Sequence, residues 1–78
     1  MKIIEVVWID SHYMPGWRDD KEIKEWNPDK WLCHSVGFLV NKDKNWLTIC
    51  LNYVDFGNKG HVEKIPVVAI KKITILRK

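Results

Sequence analysis

Six side chains in the first half of the chain have the types and placement to recognise a flat, polar ligand: Trp8, Asp10, Ser11, Trp17, Trp31 and Ser35. Indoles stack on nucleobases, and an aspartate carboxylate or serine hydroxyl reads a base edge or a ribose hydroxyl. Together they suit the lining of a nucleotide-sized pocket. The plainer use of any single indole is core packing, but five Trp in 78 residues make that use less comfortable for the whole set.

Catalysis finds no comparable set. Cys33 and His34 are sequence neighbours, and neighbours on a strand point to opposite faces, so one cannot activate the other. Asp10, Ser11 and His12 share a loop, but no further part of a triad accompanies them, and a turn serine beside a solvated histidine is the simpler reading. Cys33, Cys50, His34 and His61 offer metal-ligand types without the close pairs that zinc sites use. Gly57-Asn58-Lys59-Gly60 lies in a hairpin turn and not between a strand and a helix, so it is no phosphate loop. The expectation is a non-enzymatic chain with no catalytic residue, metal or cofactor.

The elements that must position the six residues are organised around Cys33 to Tyr53. Two β-branched and aromatic runs there flank Asn41-Lys42-Asp43-Lys44, which predicts a hairpin. A loop of those residues sets Phe38 opposite Leu47, Val36 opposite Ile49 and His34 opposite Leu51, giving one apolar face. The other face then carries Leu39 beside Trp46, Gly37 beside Thr48 and Ser35 beside Cys50. It is too apolar to be left to water and calls for a cover: the chain's own N-terminal half, a second subunit or a ligand.

Before the hairpin, Ile3 to Asp10 reads as a strand, and Pro15-Gly16 as a turn. Asp19 and Glu22 have capping-box spacing for a short helix, with Asp20 and Lys24 paired, Ile23 and Trp26 on one face, and Pro28 as the stop. Two turns of helix cannot stand alone, so this one is expected to pack over the sheet. Beyond the hairpin come a turn at Phe56 to Gly60, a return strand from His61 to Ile65, a 3₁₀ turn over Pro66 to Ala69, and a last strand from Ile70 to Leu76. This order predicts a mainly β fold, a small five-stranded SH3-like or Sm-like barrel with one short helix between the first two strands. The expected core is Ile4, Val6, Val36, Phe38, Leu47, Ile49, Leu51, Ile73 and Ile75.

At this length residues 1–78 form one domain that buries about 60% of its unfolded surface. Thirteen Lys+Arg against ten Asp+Glu give +3, a mild excess that tolerates an anionic partner without requiring one. Lys71, Lys72, Arg77 and Lys78 concentrate positive charge at the end. Diagonal placement of Cys33 and Cys50 on the hairpin argues for two free thiols. No apolar run reaches the length of a membrane span, and Glu5 interrupts the first apolar residues as no signal peptide would, so the expected location is cytoplasmic.

The combination Val7-Trp8-Ile9-Asp10-Ser11, Gly16-Trp17, Cys33 to Val40, Leu47-Thr48-Ile49 and Ile65-Pro66…Ile70…Ile73 resembles a group of short, mostly uncharacterised proteins encoded by phages and prophages. The resemblance spans nearly the whole chain and implies a viral or prophage origin, which places the protein in the host cytoplasm. It carries no established activity and transfers no functional residue.

Three functions follow as expectations. The first is sequestration of a nucleotide-derived small molecule, an anti-defence sponge. The second is nucleic-acid binding through Lys42, Lys44, Lys71, Lys72, Arg77 and Lys78, which predicts steep salt dependence. The third is a protein-interaction module that inhibits a host protein through Leu39 and Trp46, the same strip that is expected to form a homodimer.

Overall fold

The computed structural model describes residues 1–11, 15–27 and 31–78. In chain order they form β1 (Ile3–Ile9), α1 (Asp20–Glu25), β2 (Leu32–Lys42), β3 (Trp46–Tyr53), β4 (Lys59–Pro66), a 3₁₀ turn (Val67–Ala69) and β5 (Ile70–Arg77). The strands make one antiparallel five-stranded sheet in the order β4-β3-β2-β1-β5. The expected element order is thus present, with the helix after β1. The sheet is open, and β4 and β5 are its edges.

The core gathers on one side of this sheet. Ile4, Val6, Leu47, Ile49 and Ile65 form a buried cluster, with Trp8, Leu39 and Ile70 packed against it. Ile65 on β4 lies three strands from Val6 on β1, which would separate them by about 14 Å across a flat sheet. Their membership of one cluster therefore requires the sheet to curl. Gly37 permits the bend: a Cβ there would lie 2.9 Å from the Cys50 carbonyl oxygen and 3.2 Å from Ile49 Cβ, too close for any side chain at that crossing.

The hairpin register differs from the expected one. Phe38 pairs with Cys50 and not Leu47, Leu39 with Ile49, and Lys42 with Leu47, with a bulge between Leu39 and Asn41. The physical cause is the turn. The Asp43 carboxylate accepts from the backbone N–H groups of Asn45 and Trp46, both at 2.8 Å, while Asp43 N–H donates to Trp46 O at 2.9 Å. This tight closure leaves Asn41 and Lys42 in the strand and moves the loop toward the C-terminus. The same two N–H groups hold the Asp43 carboxyl below its usual pKa, with a smaller contribution from Lys64.

An odd shift of register exchanges faces, so part of the expected core is not core. Val36 lies opposite Glu5 on the outer face and is exposed, and Leu51 lies beyond the last β2–β3 pair and is exposed as well. Ile73 and Ile75 sit opposite Val6 and Ile4 on edge strand β5 but stay exposed, unlike Ile65 on the other edge strand. Phe38 is half-buried, edge-on to Tyr53 at 5.0 Å, with the Arg77 guanidinium 5.7 Å from its ring centroid. Leu39 packs on the core opposite Ile49 instead of beside Trp46, whose partner is Pro66. The apolar strip expected from Leu39 and Trp46 does not form within the chain. Ile65, Thr48 and Cys50, absent from the expected core, are buried.

The local capping and turn contacts follow the sequence closely. Asp19 caps α1, its carboxylate accepting from Glu22 N–H at 2.8 Å. The Glu22 carboxylate pairs with Arg18 at 3.7 Å, and this is the ion pair of the helix, in place of the expected Asp20–Lys24. Helix α1 contains no buried residue, so it does not cover the sheet as expected; Ile23 is exposed and Trp26 half-buried. The expected helix stop at Pro28 lies outside the described residues. Pro66 precedes the 3₁₀ turn as expected, and Val67 N–H ties that turn to Asn45 O at 2.9 Å. Among the described residues no helix is long and apolar enough to cross a membrane.

Candidate functional site

β1 and β2 bring the ends of the candidate set together. Trp8 pairs across the ladder with Cys33, and Val6 with Ser35, so Trp8 and Ser35 are diagonal neighbours on the inner face. The indole Nε1–H of Trp8 donates to Ser35 Oγ at 3.0 Å. This bond satisfies the polar edge of a half-buried indole whose carbon face packs on the core, and it fixes the ring relative to the strand end.

The ladder closes at Ile9 and Leu32, so Asp10 and Trp31 are the next residues along each strand. Asp10 is exposed, with one carboxylate oxygen accepting from Ser11 N–H at 2.7 Å. That contact orients the carboxylate and leaves its second oxygen for another donor. Ser11 is exposed, and Trp31 retains 63% of its surface. The open end of β1–β2 therefore presents a buried-edge indole, a carboxylate, a hydroxyl and a second indole in succession.

Trp17 is different. It is fully exposed at 101%, between Gly16 with φ 83° and the cap of α1, and it is not packed with the other five. No enclosed pocket forms among the described residues. Trp17 and Trp31 are exposed rings on open surface.

Of the remaining expected chemistry, His12 lies outside the described residues, so the Asp10–Ser11–His12 set has no geometry. Cys33 is half-buried and Cys50 buried, both free thiols. Among the described residues no three His, Cys, Asp or Glu side chains converge on a metal site. Lys71, Lys72, Arg77 and Lys78 are all exposed along or beyond edge strand β5. The Arg77 guanidinium donates to Met1 O at 3.3 Å as well as capping Phe38, so it is partly committed to structure.

Two neighbours of the site were not anticipated. Cys33 lies directly opposite Trp8, and on the outer face Glu5 and His34 approach to 3.5 Å. Both follow from the β1–β2 register, which a connection of more than twenty residues leaves unspecified in the sequence. No protein-family model, curated protein or solved structure matches the chain.

Proposed function

We propose that this chain is a non-catalytic, phage-type binding module, built as a small SH3-like or Sm-like domain, that sequesters a nucleotide-derived small molecule. The observation that carries the reading is the Trp8–Ser35 hydrogen bond at 3.0 Å, which fixes one indole near the end of the β1–β2 ladder, beyond which Asp10, Ser11 and Trp31 follow in the chain. Trp17 supplies a further exposed ring. One stacked base contributes about 1–3 kcal/mol, so tight capture needs both faces of the base covered and its phosphates met by cations or N–H groups. Ligand leaves chemically unchanged.

Incubating the purified protein with a host nucleotide extract, followed by native mass spectrometry, is expected to show a bound mass that is released unaltered. Trp17→Ala weakens capture while the fold is retained. Calorimetry that finds no heat with mono-, di- and cyclic nucleotides overturns this reading.

A second reading, nucleic-acid binding, is favoured by one observation, the exposed cations Lys71 and Lys72 on edge strand β5 with Lys78 just beyond it. It requires binding of a random single-stranded oligonucleotide that falls steeply with salt.

A further inference from the structure

An open sheet leaves two strands with one side of the backbone unpaired, and such edges are either blunted or used. The two edges of this sheet differ. β4 carries devices that stop a further strand: Pro66 has no N–H to donate, Gly60 has no side chain to pack, and His61 has φ 54°, outside the extended region. β5 carries none of them. Its eight residues include neither Pro nor Gly, and among the described residues its one strand neighbour is β1. The two register shifts against β1 fall on either side of Lys72 to Ile75, which pairs regularly.

The side chains along β5 set what can lie beside it. Ile73 and Ile75 pair with Val6 and Ile4, so they continue the apolar face beyond the core, and they keep 38% and 49% of their surface. Lys72 and Thr74 alternate with them onto the other face. Lys71, Arg77 and Lys78 are exposed toward the strand ends, and no acidic residue follows Glu63 in the chain. The carboxylate nearest in register, Glu5 across from Thr74, belongs to β1 and has His34 at 3.5 Å. The open edge thus combines an unpaired strand backbone, two apolar side chains and an unbalanced positive charge. A second copy of β5 does not suit it, because antiparallel pairing about Thr74 would set Lys71 against Arg77.

We infer that β5 is a docking edge for an extended acidic segment of a partner protein, which adds to the five-stranded sheet beyond β5. Backbone N–H and C=O groups supply the pairing, alternate apolar side chains of the partner lie beside Ile73 and Ile75, and the carboxylates between them meet Lys72 and the cations at the strand ends. Charge complementarity selects an acidic strand over a neutral or basic one. The apolar pair and the unpaired backbone favour a peptide over a nucleic acid, which would engage the cations alone. This edge is separate from the open end of β1–β2, and the inference rests on no nucleotide ligand.

Titration of the full, isotope-labelled chain with a short synthetic peptide of alternating glutamate and valine, followed by NMR, tests it. Saturable amide shifts centred on β5 are expected, with slowed hydrogen exchange across Lys72 to Ile75. A peptide of the same composition, with glutamates and valines in separate blocks, keeps the charge but loses the alternation and is expected to bind about tenfold more weakly or worse. Lys72→Glu is expected to weaken binding by about tenfold or more with the β-sheet circular dichroism unchanged; should that variant fail to fold, Lys71→Glu takes its place. Lys44→Glu, in the turn before β3, is expected to leave binding unchanged. Absence of shifts at millimolar peptide overturns the inference, as does equal binding of the block peptide or a folded Lys72→Glu or Lys71→Glu variant that binds like the wild type. A random single-stranded oligonucleotide that shifts β5 where the alternating peptide does not also overturns it and assigns the edge to nucleic acid.

Discussion

The inner face of the sheet and the segment joining β1 to β2 obey opposite rules. On the inner face Ile4, Val6, Leu47 and Ile65 are at most 1% exposed, and each is held by neighbours from several strands. In the joining segment Trp17 is 101% exposed and Ile23 53%, although both are as apolar as the core residues. The contrast separates what keeps the chain folded from the apolar side chains that the fold leaves exposed. Stability concentrates in a few aliphatic side chains, and the aromatic surplus is carried where its loss costs the fold little.

The comparison breaks most visibly at Ile65. Ile65→Ala removes a fully buried side chain and is expected to cost about 2–5 kcal/mol in urea unfolding; a loss below about 1 kcal/mol would mean that the inner face is not the seat of stability. Gly37→Ala ranks next. Its Cβ meets the Cys50 backbone carbonyl at 2.9 Å, and backbone cannot yield as a side-chain tip can, so about 1–3 kcal/mol is expected. A neutral result would show that β2 bends elsewhere.

The Asp43 turn gives a smaller effect and a pH signature. Its carboxyl pKa is lowered in the folded chain by the N–H groups of Trp46 and Asn45, so the stability it contributes is full above its unfolded pKa and is lost as pH falls through the lower folded value. Melting curves from pH 5 down to 2 are expected to show the Asp43→Asn difference shrinking as pH drops through the unfolded aspartate pKa, about 4, and on through the lower folded value. A difference independent of pH would assign the turn to backbone preference alone. At the small end, Trp17→Ala is expected to change stability by no more than about 0.5 kcal/mol. A larger loss would place Trp17 in contacts that matter to the fold and remove it from the recognition set.

Legibility in the sequence follows the range of the interaction. Asp19 as the helix cap, Pro66 before the 3₁₀ turn, and the turn before Lys59, where Gly57 has φ 106°, were readable because each is decided within a few residues by donors, acceptors and steric limits of the backbone. Strand existence and order were readable too, from β-branched and aromatic runs separated by turn residues. In the candidate site the convergence of Trp8 with Ser35 was anticipated from their places on adjoining elements, but their direct hydrogen bond was not.

What the sequence left undetermined was pairing. Both faces of the hairpin are apolar, so alternation could not choose between Phe38 and Leu39 as the inward residue; the Asp43 closure and the bulge after Leu39 decided it, and the choice sent Val36 to the outer face. Nor could composition say that α1 would leave the sheet uncovered. Amphipathicity says which side of a helix seeks burial, whereas the surface that receives it is a matter of tertiary packing. The sequence by itself thus determined which segments are strands, caps and turns, through local backbone chemistry. Only the tertiary structure decided which side of each strand is buried, because a one-residue slip costs no local interaction yet exchanges the two faces of the sheet.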